Sequence, residues 1–133
     1  MSKEQIEASL QKAGIQPTLQ RMALARYMMC EADHPTAEDV KAWADTHMDK
    51  ISQATVYNTL NTLVGAGLLR AFRFSHSEKV IYDCNVEDHF HFLDEKSGRV
   101  YDIHADDVQV KIEIPKKYKM KSIDLTIKGE IRN

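Results

Sequence analysis

His89 and His91 stand two residues apart in the alternating run His89-Phe90-His91-Phe92-Leu93, so on a strand both imidazoles leave one face and can reach one cation. The stretch from Val100 to Ile103 alternates too, and Asp94-Glu95-Lys96-Ser97-Gly98 between them reads as a turn. If the hairpin turns through residues 94 to 97, pairing 93 with 98 and 91 with 100, Asp102 lies across from His89 on the same face. A slip of one residue carries Asp102 to the wrong side. Earlier in the chain, Asp83 ends a β-like run and His34 stands at the mouth of a helix, and these two can close the set. Three imidazoles and two carboxylates make an N/O site that suits iron(II) or manganese(II), though zinc(II) also occupies such sites. Without an ion the carboxylates of Asp83 and Asp102 repel, so a cation there can change the relative pose of the two halves of the chain.

Each of these residues also has a plainer reading. A His-x-His on a strand is often a polar face towards water, Asp83 can simply finish its strand, and His34-Pro35 is a common way to begin a helix. His104, beside Asp102, is an optional extra ligand; His47 is expected to pack at a helix end and His76 to sit in a turn. Cys30 lies on an apolar stripe and is expected in the core. Cys84 is read as core or as a redox-sensitive thiol, with core preferred. The two cysteines are far apart and form no Cys-x-x-Cys pair, so neither a disulfide framework nor a thiolate zinc site is expected, and a reducing cytoplasm fits best.

A second chemical signal lies in Ser52-Gln53-Ala54-Thr55-Val56-Tyr57-Asn58-Thr59-Leu60-Asn61-Thr62-Leu63. Val56, Leu60, Leu63 and Val64 recur at helical spacing, whereas Gln53, Ala54, Tyr57, Asn58 and Asn61 share the other side. Asn and Gln can pair two hydrogen bonds with adenine in the major groove, and Ala or Tyr can lie against a thymine methyl, so this face suits A·T-rich DNA. It has no Lys or Arg, and an amide-rich surface helix is the plainer alternative. Arg21, Arg70 and Arg73 are candidates for phosphate contacts.

Residues 3–13 read as a helix closed by Gly14, Thr18 caps a second helix along Leu19, Met22, Ala23, Tyr27 and Cys30, and Thr36 caps a third through Ala37, Val40, Trp43, Ala44 and His47. The helix from Ser52 ends around Gly65-Ala66-Gly67. Two β-like runs follow, Leu69 to Phe74 and Lys79 to Cys84, joined by Ser75-His76-Ser77-Glu78. Helices and a hairpin in this order predict a winged helix-turn-helix. Beyond Asn85 the pattern is mostly β: the hairpin above, a strand through Val108, Val110, Ile112 and Ile114 stopped by Pro115, and a last strand at Ile123, Leu125 and Ile127. Lys116-Lys117-Tyr118-Lys119-Met120-Lys121 reads as a solvated turn or edge protection. The fold class is therefore α+β, a winged helix at residues 1–84 and a small, mostly β domain at residues 85–133, with a short hinge near Cys84–Glu87.

The chain of 133 residues carries a formal charge of −2, split into nine basic and ten acidic residues on each side of a cut after Asp83. This balance argues against indiscriminate polyanion binding and restricts any DNA contact to a local basic patch. Halves this small need each other or a partner, which makes dimerisation a reasonable expectation. No apolar run is long enough to span a membrane.

Taken together, Gly14-Ile15-Gln16-Pro17-Thr18-Leu19-Gln20-Arg21-Met22-Ala23-Leu24, His34-Pro35-Thr36-Ala37-Glu38, Ala54-Thr55-Val56-Tyr57-Asn58-Thr59-Leu60 and Ala66-Gly67-Leu68-Leu69 resemble the ferric uptake regulator family. The resemblance is ordered from residue 14 to about 103 and weaker afterwards. It implies a homodimeric winged-helix repressor with a C-terminal dimerisation domain and a regulatory metal between the two, whose ligand positions fall on His34, Asp83, His89, His91 and Asp102. Asp102, where iron sensors often have Glu, and Asn58, where others place Arg, are similar to the peroxide-sensing branch, in which iron(II) activates peroxide and a ligand histidine is oxidised. Tyr57-Asn58-Thr59-Leu60-Asn61 and Tyr82-Asp83-Cys84-Asn85-Val86 also resemble the family's iron response regulators, which answer to haem status.

The chain departs from the family where its structural zinc cysteines would fall, at Asp94 and Ser97, and Ser122-Ile123-Asp124 replace a second histidine-containing site. No structural zinc and one metal per subunit are expected, and the family's long dimerisation helix is not expected in residues 108–114. The resulting expectation is a cytoplasmic homodimer that binds operator DNA when loaded with Fe(II) or Mn(II). Two alternatives stand beside it: a haem-binding regulator using His89 and His91, and a small non-haem iron enzyme, for which a five-ligand shell leaves scant room for substrate.

Overall fold

The computed structural model of the chain describes residues 1–74 and 77–132, and it divides into two compact units, Met1–Val86 and Glu87–Asn133. The architecture is α+β. The first unit carries helices α1 (Lys3–Lys12), α2 (Leu19–Cys30), α3 (Ala37–His47) and α4 (Gln53–Gly65), then strands β1 (Arg70–Phe72) and β2 (Ile81–Asp83).

Side chains fix where these helices begin. The Ser2 and Thr36 hydroxyls accept the third-residue amides of α1 and α3, while the Gln5 and Asp39 side chains accept the capping residues' own N–H groups. Thr18 and Ser52 cap α2 and α4 in the simpler way. At the far end of α4, Gly67 adopts φ +78°, which lets its N–H bond the Val64 carbonyl and the Leu68 N–H bond that of Leu63. That turn swings Leu68 and Leu69 back onto the core and launches β1.

The core of this unit brings together Ile6 and Leu10 of α1, Leu24 and Met28 of α2, Val40 of α3, and Val56, Leu60 and Leu63 of α4. Each such side chain taken from water contributes roughly 1.5–3 kcal/mol. The inward face expected for α4 holds, with Thr59 added to it. For α2 the expected stripe is rotated: Leu24, Ala25 and Met28 are buried, Leu19 is 89% exposed, and Cys30 lies at the surface. Apolar residues surround nearly the whole of α2, so their spacing does not fix its phase. Cys84, just past β2, is likewise exposed rather than in the core.

Strands β1 and β2 pair antiparallel over three residues each, Arg70 opposite Asp83, and are shorter than the runs from which they were expected. Part of the link between them, Ser75 and His76 with the turn expected there, lies outside the described residues.

The second unit holds β3 (His89–Asp94), β4 (Val100–His104) and β5 (Thr126–Gly129) in the order β4-β3-β5, with β5 parallel to β3. The β3–β4 hairpin differs from its expected register by two residues, pairing Leu93 with Val100 and His91 with Asp102. The turn is longer because Gly98, at φ +78°, bonds back to the Asp94 carbonyl, and the Asp94 N–H reaches Arg99. A shift of two preserves side-chain parity, so Asp102 stays on the histidine face. A short 3₁₀ turn covers Ala105–Asp107. Residues 108–114, expected as a strand, form none, because no other described strand lies alongside them. The last strand begins at Thr126 rather than near Ile123.

Candidate functional site

In the first unit, His34 and Asp83 are brought together by backbone pairing. The Pro35 carbonyl accepts the Tyr82 N–H at 2.9 Å, and Thr36 bridges Ile81, so the start of α3 is fastened to β2 one residue before Asp83. His34 Nε2 lies 3.4 Å from Asp83 Oδ2. His34 Nδ1 contacts Asp33 Oδ1 at 2.8 Å, and Asp83 Oδ1 accepts the Asn85 N–H at 2.9 Å. With the Nδ1 proton directed at Asp33, the Nε2 lone pair faces a carboxylate oxygen; two acceptors at that distance call for a proton or a cation. His34 also has φ +49°, the only described residue other than glycine with positive φ, and it precedes a proline. Backbone held in so sparsely populated a region is characteristic of sites where a side chain must point one way.

In the second unit, His89 Nε2 and His91 Nε2 are 3.0 Å apart, and they lie 3.5 and 3.6 Å from Asp102 Oδ1. His91 faces Asp102 directly across the ladder, while His89 reaches it on the diagonal. His89 Nδ1 sits 2.6 Å from the Glu87 carbonyl, which takes the Nδ1 proton and leaves Nε2 as a donor atom for a cation. Ligands about 2.0–2.2 Å from one ion, at right angles to each other, lie about 3 Å apart, so this triangle of two nitrogens and one oxygen has the spacing of a metal-binding face. The donor set therefore fits a divalent ion. When bound, such an ion supplies positive charge between carboxylates and, if it is iron(II), redox chemistry. His104 is engaged elsewhere, since its Nδ1 accepts the Asp106 N–H and starts the 3₁₀ turn.

Two of the residues that support this geometry, Asp33 and Glu87, are not among those the sequence singles out. An acid immediately before a candidate ligand histidine is the signal for the first. The second acts through its carbonyl and has no side-chain signature. At Asp94 and Ser97 the structure shows a hydrogen bond of 2.7 Å between their side chains, and Asp94 Oδ1 accepts the Lys96 N–H at 3.1 Å.

On α4, Gln53, Ala54, Asn58 and Asn61 are exposed along one face. Tyr57, on the same side, is half-buried and ties back to α3, its hydroxyl donating to Glu38 Oε1 at 2.9 Å. An open polar cleft of about 380 Å³ separates Thr18, Gln20 and Arg21 at the start of α2 from Asn58, Thr59 and Thr62 of α4. Arg21 is steadied there by donating to the Gln16 carbonyl at 3.2 Å. Arg70, on β1, and Arg73, just beyond it, are exposed. His47 stacks on Trp43 at 5.0 Å, at the end of α3 as expected. No described helix is long and apolar enough to cross a membrane.

A sequence model described as the ferric uptake regulator family matches residues 12–129. The peroxide-responsive repressor PerR of Staphylococcus epidermidis is 35% identical over 101 residues, covering 76% of this chain and 67% of that protein. PerR of Staphylococcus aureus strain Mu50 is 33% identical over 99 residues, which span 66% of its length and 74% of this chain. Among solved structures, the Vibrio cholerae ferric uptake regulator aligns with a TM-score of 0.68 at 22% identity, covering 94% of this chain and 98% of that one. A zinc-bound manganese uptake regulator aligns at 0.69 and 23% identity, covering 96% and 98%. With a family match across nearly all of its length and relatives above 30% identity, this chain belongs to the ferric uptake regulator family, whose members are transcription regulators and not enzymes.

Proposed function

We propose that the chain is a cytoplasmic, homodimeric repressor whose affinity for operator DNA is set by one divalent ion per subunit, iron(II) or manganese(II), held by His34, Asp83, His89, His91 and Asp102. The observation that carries this reading is the His89–His91–Asp102 triangle, with its Nε2 atoms 3.0 Å apart. Three donors leave room for further ligands on a six-coordinate ion, and His34 with Asp83 is a second donor pair. An ion that takes both sets ties residues 1–84, which read DNA, to residues 85–133, which pair the subunits. The close approach of the two nitrogens suits neighbouring positions on one small ion, not the opposed axial pair of a six-coordinate haem.

In this reading Gln53, Ala54, Tyr57, Asn58 and Asn61 face base edges in an A·T-rich major groove, and Arg21, Arg70 and Arg73 meet phosphates. Neither α2 nor α4 has an acidic residue in its first turn, whereas α1 and α3 do, so the positive ends of the two helices beside the polar cleft are left for an anion. The PerR relatives favour peroxide as the signal: one oxygen atom passes from peroxide to an imidazole carbon of a ligand, water leaves, and the ligand set is spoiled.

Binding to duplexes selected from a random pool by the manganese-loaded protein tests the switch. Loaded protein should bind them far more tightly than stripped protein, and His91→Ala should bind alike in both states. Equal affinity of wild-type protein with and without metal rejects the proposal. A gain of one oxygen in the His34 or His89 peptide after peroxide treatment of the iron(II) form, absent from the manganese form, identifies the signal.

A further inference from the structure

Glu38 is an oddity on a surface meant for DNA: an exposed carboxylate, beside the outer face of α4, that repels phosphates. Its contacts account for its presence. The carboxylate accepts the Tyr57 hydroxyl at 2.9 Å. The dipole of its own backbone amide first, and the Tyr57 hydroxyl next, hold the Glu38 carboxyl below the usual range. Glu38 in turn raises the Tyr57 hydroxyl above its ordinary value and keeps it a donor. That bond ties one residue of the reading face to α3. The Tyr57 ring packs partly on the core. With its body on the core and its tip bound to α3, the ring has little rotamer freedom left.

We propose that Glu38 is a positioning residue for base reading: it holds Tyr57 from α3 so that the ring presents a fixed apolar edge to a thymine methyl. This rests on α4 being the helix that reads DNA. Glu38 gains selectivity at the expense of general affinity, because its charge opposes the phosphates while its hydrogen bond orders the ring before DNA arrives.

The test uses the manganese-loaded chain and a duplex that the wild type selects from a random pool, with thymines replaced one at a time by uracil. Wild type should lose about fourfold in affinity at one thymine of each half-site, the value of one buried methyl. Glu38→Ala and Tyr57→Phe should bind the thymine and uracil forms alike at that position, whereas Glu38→Gln, whose amide oxygen still accepts the hydroxyl, retains the discrimination. Random-sequence duplex should bind Glu38→Ala at least as tightly as wild type. Discrimination by Glu38→Ala equal to that of wild type overturns the proposal, and so does a parallel loss of selected and random binding, which marks a merely structural role. If wild type selects a sequence but ignores every thymine methyl, this inference alone fails. If it selects no sequence at all, the reading of α4 fails with it.

Discussion

The two units of this chain treat their apolar residues in opposite ways. The first closes a core in which Ile6, Leu10, Leu24, Leu60 and Leu63 are at most 1% exposed. In the second, Val110, Ile112, Ile114, Tyr118 and Met120 are each more than 40% exposed along one extended stretch. A unit that spans only Glu87–Asn133 is too small for a lone core to be secure, and its bare apolar row is what a pairing surface requires. The first unit encloses its own core, and the exposed row of the second is the surface that the proposed dimer would cover.

The sharpest way to break this contrast is to truncate one residue on each side of it. Leu60→Ala opens a cavity at a fully buried position and should cost about 2–5 kcal/mol in urea denaturation. Ile112→Ala, at 42% exposure, should change the stability of dilute protein by less than about 0.5 kcal/mol. Its effect should instead be seen in sedimentation as a weaker dimer. If both cost the same in dilute solution, the second unit has a core of its own.

The contrast extends to the two donor sets. Each orients a histidine through its Nδ1, but the second unit uses the Glu87 carbonyl and the first uses the Asp33 side chain, which can be removed. Asp33→Ala should lower manganese affinity by about 10–100-fold in a calorimetric titration, the usual cost of losing an orienting hydrogen bond behind a ligand. Unchanged affinity means that the backbone at His34 alone fixes the ring.

These differences also mark what the sequence can reveal. Caps are local, so Thr18 and Thr36 place the starts of α2 and α3 closely. The phase of α2 is not legible, because an almost wholly apolar helix offers no polar face to set against an inward one; Leu19 and Cys30 are exposed for that reason. The shared face of His89, His91 and Asp102 is legible because strand parity survives a shift of two. Their opposition is not, since a Gly98 turn sets it. Residues 108–114 alternate like a strand, yet a strand needs a neighbour, and alternation says nothing about where one is. Glu38 and Asp33 are passed over because an acid near a candidate site is read first as a charge and only in three dimensions as an acceptor.

A smaller effect separates the two capping boxes. Thr36→Ala and Ser2→Ala each remove one helix cap and should each cost about 1 kcal/mol. Only Thr36 caps the helix whose start is paired through its backbone with β2 next to Asp83, so only its loss should loosen that start and weaken manganese binding as well. Equal effects of the two changes on metal would show that the α3 cap does not position His34.

The smallest effect is a pH dependence in the second unit. The Ser97 hydroxyl, and after it the Lys96 and Ser97 amides, outweigh burial and hold the Asp94 carboxyl below its usual value. A depressed carboxyl adds stability that is fully present above its unfolded value near 3.8 and is lost as pH falls through its folded value. The β3–β4 turn should therefore be unaffected by pH near neutrality and loosen only in acid, read as faster exchange of the Gly98 amide that bonds the Asp94 carbonyl at 2.7 Å. Ser97→Ala removes the largest of the stabilising bonds, so the Asp94 carboxyl-carbon titration should move up towards the ordinary range. A titration that stays in place assigns the depression to the backbone amides, and the Asp94–Ser97 pair is then a consequence of the turn rather than one of its supports.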